Sequence, residues 1–257
     1  MTAAELRVVD DKNIMDLTPA ELQRAKEALD AAGLRVVSIA SPLLKCVLPN
    51  APDLDSRFQR DVFASRHTID DQPGLARHAF DVARFFGARI VRVFSYWRTV
   101  KPELCLDAIV AALSQLALLA EKEDMLIGLE NEHACNLATA SEMARVLDLI
   151  PHPNLGIVWD PANALVAGED PFPGGYSLLP KQRIVHVHAK DCHMENGTPV
   201  WGPLGTRHVR WKEQIAALLK DEYKGSISLE THWAGPDGNK LEASRICGWN
   251  LRGLAAT

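Results

Sequence analysis

Short apolar runs alternate with helix-like segments along the whole chain, and this alternation constrains the fold more than any other feature. Strands that alternate with helices imply βαβ units and a parallel sheet. Strands covered by helices on both faces read as unbroken apolar runs rather than as alternating ones. Runs of that kind stand at residues 35–40, 89–94, 126–130, 155–160, 184–188 and 226–230, and Leu6-Arg7-Val8-Val9 supplies an earlier one. The helices between them carry start and stop signals. Thr18-Pro19-Ala20-Glu21 is a capping box with proline at the first helical position, and Gly33 is placed to end that helix after Ala32. A helix near 73–86 ends at Gly87, another runs from Pro102 to about Glu123, and Thr139-Ala140-Ser141-Glu142 opens a second capping box for a helix to about Ile150. Further helices are expected near 176–181, from after Val209 to about Tyr223, and over about 239–254.

A chain of 257 residues with 47% hydrophobic composition suits one eight-unit α/β barrel, which typically needs about 250 residues. The expectation is a single TIM (β/α)8-type barrel domain over residues 1–257. Only seven strands are found, so either the start is truncated or the barrel has a gap between its first and last strands. The stretch from Cys192 to Arg210, with Gly197, Pro199, Gly202, Pro203 and Gly205, has no periodic pattern and reads as a lid or substrate loop. The net charge of −5, with scattered basic residues, argues against a nucleic-acid partner, which would call for a basic stripe. No apolar run approaches the roughly 18 residues of a membrane span. The N-terminus lacks the regions of a signal peptide. The five cysteines form no CxxC pair, as expected of a reduced, cytoplasmic protein.

Four of the runs stop at a group able to bind a metal: Glu130, Asp160, His188 and Glu230, with roughly 30 to 40 residues between successive ones. In α/β barrels the site lies at the C-terminal ends of the strands. Three carboxylates and one imidazole suit a single divalent ion such as Mn²⁺, Mg²⁺, Co²⁺ or Zn²⁺. Alternation along a strand puts His186, His188 and Lys190 on one face, Glu130 with Glu132, and Glu230 with His232. His188, nearer the strand end, is the expected ligand. His186, deeper, is expected to be hydrogen bonded in the core or behind the ligands. Lys190 is placed to meet a substrate oxygen. Asp191 either orients a ligand or caps the loop after it.

The segments Gly128-Leu129-Glu130-Asn131, Trp159-Asp160-Pro161-Ala162-Asn163, His186-Val187-His188-Ala189-Lys190-Asp191 and Ser228-Leu229-Glu230-Thr231-His232 resemble those of the xylose isomerase-like sugar phosphate isomerase/epimerase superfamily. The resemblance covers nearly the whole chain from Glu5 onward. It implies that Glu130, Asp160, His188 and Glu230 bind one divalent metal, and that Glu130 and Glu230 also flank the substrate and move protons. Asn163 falls where relatives carry a substrate-contacting His or Asn. Glu5-Leu6-Arg7 resembles the second barrel strand of relatives, which is why the first unit is expected to be absent. Residues 201–208 depart from the relatives' pattern, and there Arg207 is a further expected contact for a phosphate or carboxylate. Arg98, Trp97 and Trp201 complete the expected substrate contacts, the tryptophans by shielding the intermediate from water.

The implied chemistry is isomerisation or epimerisation of a ketose sugar or sugar phosphate. Chelation of a carbonyl and its neighbouring hydroxyl acidifies the carbon-bound proton and stabilises an enediolate. A keto-cyclitol-type dehydratase using the same groups and a non-catalytic truncated member are the alternatives. An apurinic endonuclease would need extra histidines where Ser41, Ser95 and Asn163 stand, and a basic face. The expected partners are a small sugar and, because a barrel one strand short exposes edges, a second copy of the chain; neither nucleic acid nor a membrane is expected.

Overall fold

The computed structural model describes residues 2–58 and 66–256. Its contacts divide the chain into two units: Met1–Glu130 with Ala134–Leu137 and Val146–Gly156, and Asn131–His133 with Ala138–Arg145 and Ile157–Thr257.

In the first unit four parallel strands follow the order β1 (Ala3–Leu6), β4 (Arg35–Leu43), β5 (Ile90–Val93) and β6 (Leu126–Glu130). Their register aligns Leu6 with Ile39, Ile39 with Val91, and Val91 with Ile127, a row of buried side chains across the four strands. The first strand lies earlier than the Val8-Val9 pair suggested. Those valines form β2 (Val8–Val9), which turns through Asp10 and Asp11, at φ 48° and 61°, into β3 (Lys12–Asn13) as a separate small hairpin. Helix α1 (Pro19–Ala31) begins at the expected capping box. Thr18 Oγ1 accepts the Glu21 N–H at 3.3 Å, and Glu21 Oε2 accepts the Thr18 N–H at 2.8 Å. Helix α2 (Gln72–Phe86) ends at Gly87, whose φ of 73° is the left-handed conformation that glycine adopts without a Cβ penalty. Helix α3 (Leu106–Lys122) continues a 3₁₀ turn at Pro102–Cys105. Together they give 21 residues, within which an 18-residue window has a mean hydropathy of 1.8, long and apolar enough by those measures to cross a membrane. Here Ile109, Leu113, Ala117 and Ala120 are instead buried on one stripe of the helix, the pattern of a helix that covers a sheet.

Helix α4 (Ala140–Leu149) and strand β7 (Leu155–Trp159) carry residues of both units. In the second unit β8 (Ile184–Ala189) has β7 on one side and β11 (Ser226–Leu229) on the other, all parallel. Helices α5 (Pro161–Val166), α6 (Tyr176–Leu178), α7 (Trp211–Lys220) and α8 (Lys240–Ala255) belong to this unit. The stretch after Cys192 is not an irregular loop throughout. Strands β9 (Asp191–Glu195) and β10 (Thr198–Gly202) pair antiparallel through Asn196 and Gly197, both at positive φ. Two buried tryptophans tie α7 to the end of β7 and to the residue that follows β8. The Trp159 indole donates to Gln214 Oε1 at 3.0 Å on α7, and the Trp211 indole donates to the Lys190 carbonyl at 2.9 Å.

Candidate functional site

In the second unit the chain leaves β7 at Asp160 and enters α5 at once, with Pro161 at the first helical position. Asp160 is the N-cap: its Oδ1 accepts the Asn163 N–H at 2.9 Å. The Asn131 side chain clamps the Asp160 backbone from both sides. Its Oδ1 accepts the Asp160 N–H at 2.8 Å and its Nδ2 donates to the Asp160 carbonyl at 2.8 Å. Backbone and one carboxylate oxygen are thus fixed, and Oδ2 points elsewhere, 2.8 Å from Lys190 Nζ.

His188 lies on β8, fully buried, with its Nδ1 3.6 Å from Glu230 Oε2 and 4.0 Å from Asp160 Oδ2. His186, two residues back on the same face, packs edge-on against it at 5.5 Å between ring centroids, and its Nε2 lies 2.8 Å from the Ser228 hydroxyl. Glu230 extends the β8–β11 pairing by one bond, its N–H donating to Ala189 at 3.0 Å. The Glu230 side chain is 20% exposed, the most open of the group. Lys190 Nζ bridges Glu230 Oε2 and Asp160 Oδ2 at 2.8 Å each. His232 Nε2 is 4.0 Å from Glu230 Oε2, and its ring stacks on Trp201 of β10 at 4.6 Å.

Asp160, His188 and Glu230 place one donor atom each within 4.8 Å of the others. Two donors that share an ion at about 2.0–2.2 Å can be no more than about 4.4 Å apart. The separations of 3.6 and 4.0 Å from His188 Nδ1 to the two carboxylate oxygens fall inside that limit, and two carboxylates with one imidazole suit a divalent ion chemically.

In the first unit Glu130 closes β6 with its side chain 1% exposed, and its Oε2 lies 3.1 Å from Arg92 Nη1. Arg92 is 5% exposed, stacks over Phe94 at 4.4 Å, and donates through Nη2 to the carbonyls of Ala40 and Ser41 at 3.2 and 3.3 Å. Trp97 is buried with Phe94, Ala134 and Cys135. The Arg98 guanidinium donates to the carbonyls of Cys135 and Asn136 at 3.2 and 3.1 Å, so it ties down that loop.

Asp191 caps the loop after the hairpin, which decides between the two roles open to it. Its carboxylate accepts the N–H groups of Gly205, Arg207 and Val209 at 2.9–3.0 Å. Burial raises its pKa, and these backbone hydrogen bonds act in the opposite sense. Arg207 is exposed, and its side chain lies across Gly202, where a Cβ would meet Nε at 2.1 Å. Asn163 is fully buried, with Oδ1 2.9 Å from His133 Nδ1. That same nitrogen lies 3.0 Å from Glu132 Oε1. Burial works against the charged form of His133, but the Glu132 carboxylate and the hydrogen bond with Asn163 together outweigh it and the net pKa is raised.

Arg92, Asn131 and His133 were not picked out from the sequence. Arg92 had a signal: an arginine inside an apolar strand run must find a buried partner. Asn131 and His133 had none beyond following Glu130. All five cysteines are free and buried.

The chain belongs to the family described as xylose isomerase-like TIM barrel, whose model matches residues 1–248. Its fold is therefore an α/β barrel of the TIM type. No curated protein sequence matches it. Among solved structures it is similar to the IOLI protein with a bound zinc atom, at 16% identity and TM-score 0.73, covering 99% of this chain and 88% of that one. It is also similar to a D-tagatose 3-epimerase-like protein, at 19% identity and TM-score 0.70, covering 99% and 90%. A third is the probable 3-DHS dehydratase AsbF from Bacillus anthracis, at 17% identity and TM-score 0.65, covering 90% and 82%.

Proposed function

We propose that the chain is a divalent-metal-dependent isomerase or epimerase of a ketose or ketose phosphate, acting by proton transfer through an enediolate. The convergence of Asp160, His188 and Glu230 donors within 4.8 Å supports this reading most directly. Glu130 is the proposed fourth ligand. It is one peptide bond from Asn131, whose amide grips both backbone groups of Asp160. When bound, the ion would act as a Lewis acid that lowers the pKa of the proton beside the substrate carbonyl.

Glu130 and Glu230 are the proposed acid/base pair. One takes the proton from carbon, and the other returns it to the opposite face or to the neighbouring carbon. Arg92 holds Glu130 in place through the 3.1 Å ion pair. Lys190 and Asn163 are assigned to substrate oxygens, and Arg207 to a phosphate or carboxylate. Trp201, braced by His232, excludes water from the intermediate. Trp97 is assigned to the same shielding, and Arg98 to holding the 134–136 loop beside the substrate. Glu130→Gln and Glu230→Gln should each abolish deuterium exchange at the substrate carbon with the circular dichroism spectrum unchanged. Undiminished exchange in either variant sinks its assignment.

A dehydratase is the second reading, favoured by the similarity to a protein described as a probable 3-DHS dehydratase. The same pair would remove the proton beside a carbonyl, and the departing group would be a β-hydroxyl. Loss of water to an ultraviolet-absorbing unsaturated product, instead of exchange without net loss, marks that reaction.

A further inference from the structure

We propose that the Lys190 ammonium is a built-in counter-ion that competes with the divalent ion for the same carboxylate oxygens, and that Lys190 thereby sets the metal affinity of the site. The inference rests on the metal-site reading above and adds a determinant that the ligand set alone does not contain.

The atoms coincide. Nζ lies 2.8 Å from Asp160 Oδ2 and 2.8 Å from Glu230 Oε2. These are the two oxygens that lie 4.0 and 3.6 Å from His188 Nδ1, the oxygens positioned to share an ion with that imidazole. Lys190 itself is 2% exposed. A buried ammonium needs anions around it, and the buried Asp160 carboxylate with the partly exposed Glu230 beside it needs a cation between them; each accounts for the other.

The lysine is also held. Its carbonyl accepts the Trp211 indole N–H at 2.9 Å, its Nζ sits 5.9 Å from the centroid of the Trp201 ring, and Asp191, the next residue, is tied to three loop amides. The backbone on both sides of the stem is thus fixed, with the ammonium against that pair of oxygens. A divalent ion entering there meets a positive charge already in a water-poor pocket, where like charges repel far more strongly than in bulk water. Binding the ion requires the ammonium to give up at least one of the two carboxylates. Removing the charge at position 190 should then tighten metal binding, although a hydrogen-bonding side chain has been lost.

The test is calorimetric titration of chelator-stripped protein with MnCl₂ at one pH, for the wild-type chain, Lys190→Gln, Lys190→Met and Lys190→Arg, with His188→Ala as control. Both neutral variants should bind Mn²⁺ more tightly than the wild type, on the order of ten- to a hundredfold. Their metal-free forms should melt earlier and recover on adding Mn²⁺. Lys190→Arg keeps the charge and grips two carboxylates through a planar fork, so it should bind Mn²⁺ more weakly than the wild type. If neither neutral variant folds, the arginine variant decides alone. Equal or weaker binding in Lys190→Gln, or equal or tighter binding in Lys190→Arg, overturns the inference. Wild-type binding that His188→Ala abolishes, with no change in the Lys190 variants, removes only the lysine's role. Absence of Mn²⁺ binding from the wild type and all variants removes the metal-site reading and the inference together.

Discussion

Arg92→Met isolates the electrostatic support of Glu130. The pair is buried at both ends, 5% and 1% exposed, with 3.1 Å between Nη1 and Oε2. Breaking such a pair by deleting one partner leaves an uncompensated buried charge and costs about 3–5 kcal/mol. The carbonyls of Ala40 and Ser41 lose a donor in the same step. In a chain of this size 1 kcal/mol moves the melting temperature by about 2–4 °C, so the variant should melt about 6–20 °C below the wild type. Thermal and urea denaturation followed by circular dichroism, in the presence of a chelator, read the change. The cause is tested by a second substitution. Arg92→Met with Glu130→Gln has no buried charge to compensate and should regain most of the loss, leaving about 1–2 kcal/mol for the donors that remain missing. A loss below about 1 kcal/mol in Arg92→Met, or no recovery in the double variant, would refute the argument that the ion pair is what lets a carboxylate end β6 in a buried position.

His188→Ala should reduce Mn²⁺ or Zn²⁺ affinity at least about a hundredfold by calorimetry, and a smaller change would remove the imidazole from the ligand set. Asp191→Ala deprives three loop amides of their acceptor and should cost about 2–3 kcal/mol. It should also speed tryptic cleavage after Arg207, and a cleavage rate equal to the wild type's would show that the loop is held otherwise. The pKa of His133 is raised in the folded state against the effect of burial, through Glu132 and the hydrogen bond with Asn163. Its contribution to stability is therefore complete below the unfolded value of about 6.5 and is lost as pH rises through the higher folded value. As pH rises above about 6.5 the wild type should lose stability relative to His133→Gln, and a flat or opposite difference contradicts the pairing.

The sequence made the repeating skeleton readable because its signals are local. The Thr18–Glu21 box forms with both hydrogen bonds, and in the second box Thr139 Oγ1 accepts the Glu142 N–H at 3.2 Å while Glu142 Oε2 accepts the Thr139 N–H at 3.0 Å. Asp160, His188 and Glu230 were legible because each ends an apolar strand run, and parallel strands bring such ends together. The β9–β10 hairpin was missed although Asn196-Gly197 is a two-residue turn signal. Its strands contain Cys-His-Met and Pro, with little β-branched content, so the turn had no strand pattern beside it. The first strand was displaced because Val8-Val9 has strand propensity, which a small hairpin satisfies as well as the parallel sheet does. Contacts between side chains distant in sequence, such as Lys190 with two carboxylates or Asn131 with the Asp160 backbone, leave no spacing to read and follow only from the fold.

The central claim is metal-dependent proton transfer at a carbon beside a carbonyl. Deuterium uptake from D₂O, followed by NMR for the manganese-loaded protein against a panel of ketoses and ketose phosphates, measures that step whatever the final product. The account predicts uptake into at least one of them that requires the ion and disappears in Glu230→Gln. Manganese-bound protein that exchanges no carbon-bound proton in any of them, or exchange that persists without the ion and in Glu230→Gln, would contradict it.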